Sequence, residues 1–128
     1  MELTHEHIVT VTEMKQLPPL LERHSDFTVW SLNKIRKFNK DLRFSFGSHI
    51  ADTCLLIQDG LVDALYSGKG TVRLEKLHRI STLLEQLRLQ LRMAYNLKLI
   101  NAGSLHYAAG CLQEEGNMLG GWIKSEEK

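Results

Sequence analysis

Cysteine is scarce in this chain. Cys54 and Cys111 are the only two in 128 residues, and both fall in stretches with helical apolar spacing. They are expected as buried free thiols, not as a disulfide. The only prolines are Pro18 and Pro19, so nothing beyond residue 19 is interrupted by proline. No apolar run approaches the roughly 18 residues that a membrane span needs. The N-terminus lacks the basic-then-apolar pattern of a signal peptide, so a cytoplasmic protein with no membrane association is expected. Signatures of chemistry are equally thin. There is no GxSxG and no cysteine with an evident histidine partner. The Gly68-Lys69-Gly70 turn lacks the GxxxxGK[ST] pattern of a phosphate loop. A di-metal carboxylate bundle needs Glu-x-x-His on two helices with further Glu facing inward, and the chain does not carry that set. His5 and His7 stand without the further Cys or His that a zinc site requires. Neither an enzyme nor a cofactor is expected.

What the chain does have is helix. Residues 71–100 hold no Pro and no Gly, and Leu77, Ile80, Leu84, Leu87, Leu91 and Ala94 recur at steps of three and four. That spacing is one face of an α-helix. Leu83, Leu89, Met93 and Leu97 fall on another side. Three further segments have the same character. A first helix is expected from Pro18 and Pro19 to about Lys37, with His24 read as a packed or boundary residue on its stripe. A second is expected from Gly47 to Tyr66, on the stripe Ile50, Cys54, Ile57, Leu61, Ala64, with Asp52, Asp59 and Asp63 on an acidic face. A fourth follows Ser104, read as its cap, on Leu105, Ala108, Leu112, Gly116, Leu119 and Ile123. Gly103 is expected to close the third helix in a left-handed conformation. Gly116, Gly120 and Gly121 are costly inside a helix, about 1 kcal/mol each relative to Ala, and predict close packing against a neighbour. Residues 37–46 read as a connector in which Asn39 and Asp41 turn the chain and Ser45 caps the next helix. Phe38, Phe44 and Phe46 lie in it among cations, as plugs for the end of the core or as base-stacking groups.

The short loops predict an all-α, up-down-up-down antiparallel four-helix bundle over residues 17–128. It follows a short, β-prone arm over residues 1–16, in which Ile8, Val9 and Val11 alternate with Thr. The net charge of +1 conceals segregation. Lys34, Arg36, Lys37, Lys40 and Arg43 face only Asp41 in their segment. Residues 69–98 hold seven Lys and Arg against Glu75 and Glu85. Such asymmetry points to an anionic partner or to solvated helix faces. The surplus apolar positions, together with off-stripe Trp122, exceed one bundle's core and point to self-association.

Four stretches, in order, are similar to a known family: LPPLLERHSDFTVW, KFNKDLRFSFG, EKLHRISTLLEQLRLQLRMAYNLKLI and GNMLGGWIKS. The chain resembles the accessory variability determinant proteins of diversity-generating retroelements. These belong to the four-helix-bundle superfamily that includes proteins encoded in ribosomal RNA intervening sequences. The resemblance covers Leu17 to Ser125, and its most specific pieces are the Gly-Gly-Trp-Ile-Lys-Ser ending and the Arg-Phe-x-x-Gly junction. It departs at Asn39, where family members often carry Pro. The resemblance implies a non-enzymatic homopentamer that binds a reverse transcriptase and its template RNA, or an RNA/DNA hybrid, during mutagenic cDNA synthesis. Carried onto this sequence, the nucleic-acid and polymerase surface falls on Lys34, Arg36, Lys37, Lys40, Arg43, Arg73, Lys76, Arg79, Arg88 and Arg92. Arg79 and Lys76 are the cleanest of these, because Arg73, Arg88 and Arg92 lie near the core stripe. The subunit contact is assigned to Leu83, Leu89, Met93, Leu97 and Trp122. The alternative is a structural or protein-interaction oligomer with no nucleic-acid role.

Overall fold

The computed structural model describes residues 18–128; the arm expected over residues 1–16 lies outside them. Four long helices follow one another: α1 (Pro19–Ile35), α2 (Ser48–Tyr66), α3 (Thr71–Asn96) and α4 (Ala102–Glu126). Each packs on its neighbour in sequence, and α1 closes on α4. This is the expected antiparallel four-helix bundle. Its core is the predicted stripe on α2 and α3, and on α4 the predicted positions Ala108, Leu112 and Leu119, while Leu105, Gly116 and Ile123 are only partly buried. Leu77, Ile80, Leu84, Leu87, Leu91 and Ala94 of α3 are all buried against Ile50, Cys54, Ile57, Leu61 and Ala64 of α2. Pro19 opens α1, where its missing N–H costs nothing.

The helix ends differ from expectation in three places. First, the connector after α1 is short. Asn39 accepts a hydrogen bond from the Leu42 N–H at 3.1 Å and so caps a helical turn, Lys40–Leu42. This turn runs through a π-helical stretch, Arg43–Gly47, directly into α2. Ser45 caps nothing; its hydroxyl donates to the Asp41 carbonyl at 2.8 Å. Asn39 supplies the cap one helical turn earlier and leaves Ser45 inside the helix. Gly47 explains the close passage of this stretch over α1. A Cβ there would lie 2.9 Å from Ile35 Cγ2.

Second, α3 stops at Asn96 instead of Ile100. Lys98, not Gly103, takes the left-handed position, with φ of 63°. The Lys98 N–H donates to the Tyr95 carbonyl and the Leu99 N–H to the Ala94 carbonyl, each at 2.9 Å. That pair of bonds is the Schellman closure of a helix, and it turns Ile100 into the core. Third, Asn101 and not Ser104 caps α4, accepting from the Ser104 N–H at 2.8 Å.

The glycine expectation is also corrected. Around a Cβ built on Gly120 or Gly121 there is nothing within 4 Å, and at Gly116 only the end of the Arg88 side chain at 3.9 Å. The close interhelical approach is instead at Gly60 of α2, where a Cβ would come within 3.1 Å of Ile80 on α3.

Candidate nucleic-acid interface

An up-down-up-down bundle gathers alternate connections at the same end. The α1–α2 connection, residues 36–47, and the α3–α4 connection, residues 97–101, therefore share one end. The 67–70 turn, the start of α1 and the close of α4 share the other. The groove between α2 and α3 agrees: His49 lies across it from Met93, and Asp63 across it from Lys76. This topology divides the basic residues into two sets that sequence distance does not reveal.

At the first end stand Lys34, Arg36, Lys37, Lys40, Arg43 and Lys98 against Asp41, with Arg92 above them on α3. None of these seven cations has a carboxylate within ion-pair range among the described residues. Arg36, Lys37, Lys40, Arg92 and Lys98 are exposed. The Lys34 ammonium lies 5.5 Å from the centre of the Trp30 ring. Arg43 donates to the Arg36 carbonyl at 3.3 Å and holds its guanidinium 5.0 Å from the centre of the Phe44 ring. The three phenylalanines of this end part company. Phe38 is buried, Phe46 packs partly against the core and Phe44 is 68% exposed.

At the second end the cations are engaged. Arg73 sits three residues past the tight turn, where the last carbonyls of α2 lack helical partners. Its guanidinium donates to Ala64 O at 2.8 Å, to Leu65 O at 3.0 Å and to Ser67 O, and pairs with Glu126 at 2.8 Å. The hydrogen bonds from Arg73 pull the Glu126 carboxyl below the usual carboxylate range. Lys76 donates to Ser67 Oγ at 2.7 Å and pairs with Asp63 at 3.0 Å. Arg23 pairs with Glu114. Arg79 is exposed but lines the α2–α3 groove with Asp59, Asp63 and Glu75. Arg88, midway along α3, lies 3.7 Å from Glu85, the ion pair its spacing predicts. Arg73 and Lys76 are thus engaged within the chain, where both hold the 67–70 turn in place. Arg79 has no ion pair among the described residues and lies in an acidic setting.

The proposed subunit contact also divides. Leu89, Met93 and Leu97 are exposed, and Leu89 and Met93 share the α2–α3 groove with exposed Leu56 of α2. Leu83 is only 5% exposed and belongs to this chain's own core. Its step of three from Ile80 and four to Leu87 keeps it on the inward side. Trp122 is half-buried on its own bundle. Arg73 lies 6.0 Å from its ring, and its indole N–H donates to Glu126 at 3.3 Å.

A buried polar pair lies apart from the basic and apolar surfaces expected from the sequence. His24 and Glu115 are both buried, and His24 Nδ1 meets Glu115 Oε1 at 2.7 Å. His24 Nε2 meets the Cys54 carbonyl at 2.8 Å. A carbonyl only accepts, so Nε2 carries a hydrogen and the second proton lies between Nδ1 and Oε1. The pair is electrically neutral as a unit and staples α1, α2 and α4. Its signal was available: His24 follows Leu20 by four, and Glu115 lies three after Leu112 and four before Leu119. A polar residue on the apolar stripe of two helices requires a buried partner. Burial pushes the nearby Cys54 thiol up to about 11 and raises Cys111 as well, which keeps both thiols protonated and unreactive at neutral pH.

Glu75 and His78 form one Glu-x-x-His on α3, with both side chains exposed. Among the described residues no three His, Cys, Asp or Glu come together to hold a metal ion, and no helix is long and apolar enough to cross a membrane. Comparison with known proteins finds no matching family, no matching curated protein and no matching solved structure.

Proposed function

We propose that this chain is a non-enzymatic accessory protein of a diversity-generating retroelement, acting in the cytoplasm. It binds template RNA and the reverse transcriptase through the basic end of the bundle. The observation that carries this reading is the contrast in pairing. Seven Lys and Arg gather at or above one end without carboxylate partners among the described residues, while Arg73 and Lys76 at the other end are held by Glu126 and Asp63. Unpaired cations on a surface attract phosphates and release counterions on contact. The interface residues of this reading are Arg36, Lys37, Lys40, Arg43, Arg92 and Lys98, with Lys34 at the margin.

Assembly as a homo-oligomer, a pentamer by the family resemblance, is part of the same proposal. Exposed Leu55, Leu56, Leu89 and Met93 on the α2–α3 face support it, since clustered apolar surface of this kind marks association sites. The same face favours the second reading, an interaction oligomer without nucleic acid.

An RNA titration at two salt concentrations separates the readings. Each phosphate contact on a single strand contributes about 0.7 to the log–log salt slope. Lys37→Glu with Lys40→Glu is expected to weaken RNA binding and flatten that slope. Arg79→Glu is expected to do neither. Light scattering after size exclusion reports the oligomer independently. An oligomer that binds no RNA at low salt rejects the first reading and keeps the second.

A further inference from the structure

We infer that Phe44 is a base-stacking platform, so that the basic end takes unpaired, single-stranded nucleic acid in preference to duplex; this rests on the nucleic-acid reading above. A phenylalanine 68% exposed at the start of a long helix is unusual when its two neighbours in the same connector, Phe38 and Phe46, pack into the bundle. The π-helical stretch Arg43–Gly47 places it there. Single π-turns within α-helical segments occur frequently at functional sites. The ring is also prepared on one side. The Arg36 carbonyl fixes the Arg43 guanidinium, which lies 5.0 Å from the centre of the Phe44 ring. One face of the ring is therefore associated with a cation, and its large exposure leaves room for a flat partner on the other.

The surroundings select the partner's chemistry. Lys40 lies one helical turn before Phe44, on the same side of the segment, and Arg36 and Lys37 precede it on the connector. A planar aromatic ring flanked by cations matches a nucleobase joined to its phosphates. Proteins that bind single strands combine these two elements, and base–aromatic stacking is tolerant of sequence. In an A-form duplex the base faces are already stacked on one another, so only the phosphates remain for the cations. The ring then discriminates strand state, while the cations supply the general affinity. Tyr66 provides the internal control: it is 85% exposed, but at the other end of α2, beside Asp63.

The test uses the full chain with a fluorescently labelled uridine-rich single strand and a labelled RNA duplex, followed by anisotropy. Phe44→Ala is expected to raise the single-strand Kd about fivefold or more and to leave the duplex Kd unchanged. Phe44→Trp is expected to bind as the unaltered chain does, and Tyr66→Ala likewise. Phe44→Leu keeps apolar bulk but has no π-face, so it is expected to behave as Phe44→Ala. Urea midpoints confirm that the variants fold. Wild-type affinity in Phe44→Ala, or full affinity in Phe44→Leu, overturns the stacking role while the nucleic-acid reading stands. Equal loss of single-strand and duplex binding in folded Phe44→Ala also overturns it. An unaltered chain that binds neither strand overturns the nucleic-acid reading and this inference together.

Discussion

The two ends of the bundle carry the same residue types in opposite circumstances. At the 67–70 end, Arg73 is spent on three backbone carbonyls and Glu126, and Lys76 on Ser67 and Asp63. At the 36–47 end, Lys37, Lys40 and Lys98 are exposed with no such partner among the described residues. The difference lies in how each connection is closed. At the 67–70 turn the Ser67 N–H reaches the Ala64 carbonyl at only 3.3 Å, and a side chain from α3 adds bonds to the Ala64, Leu65 and Ser67 carbonyls. The 36–47 connection is closed by Asn39 and by helix running on through the π-turn, and the 97–101 connection by backbone bonds around Lys98. Apart from the Arg43 bond to the Arg36 carbonyl, these connections are closed without a cation, which on the proposed reading leaves Lys37, Lys40 and Lys98 available to a partner.

The largest effect tests the frame that holds both ends in register. Glu115→Ala leaves His24 buried with an unpartnered ring nitrogen. Removing one member of a buried pair costs about 3–5 kcal/mol, read from urea unfolding. A loss under about 1 kcal/mol, as at a surface site, would mean that the staple contributes little to the frame.

The next test breaks the second end. Arg73→Ala removes hydrogen bonds from α2 carbonyls and from Glu126, and is expected to destabilise the fold by about 2–3 kcal/mol. The effect should depend on pH. Glu126 is shifted down in the folded state, so its contribution is full above the ordinary Glu value of about 4.3. It is lost as pH falls through the lowered folded value. The stability gap between the unaltered chain and Arg73→Ala should therefore narrow in acid, and a gap that widens would contradict the ion pair.

Lys98→Gly sharpens the contrast from the other side. Lys98 occupies the left-handed region, which costs a non-glycine residue about 1 kcal/mol. Glycine should raise the unfolding free energy by up to that amount and weaken RNA binding at the same time. The smallest effect on stability is expected for Lys37→Ala and Lys40→Ala, within about 0.5 kcal/mol. If either destabilises the fold as Arg73→Ala does, the two ends are not different in kind.

Much of the architecture was legible from spacing. The stripes on α2 and α3 were read correctly because a helix side chain's direction follows from its position alone. Leu83 was misassigned although its steps to Ile80 and Leu87 place it inward, since a core stripe on a long helix is wider than a single row. The helix ends were less legible. Asn39, Ser45, Asn101 and Ser104 are all acceptable caps, and which one serves depends on where the neighbouring helix allows the chain to turn. The site was the least legible part. Nothing local in the sequence distinguishes Lys76, which is tied to Asp63 and Ser67, from Lys40, which has no carboxylate partner among the described residues.

By itself, then, the sequence determined four helices, their inward stripes and their antiparallel order, because burial of apolar surface at a fixed period leaves little choice. It also carried the polar residues of the His24–Glu115 staple on those stripes. Only the tertiary structure decided which cations face carboxylates or open carbonyls, that Phe44 stays outside while Phe38 and Phe46 go in, and that Lys98 closes α3. The ion pairs rest on residues far apart in the chain, as where Arg73 meets Glu126, while the Lys98 closure is made by local backbone bonds placed where Ile100 enters the core.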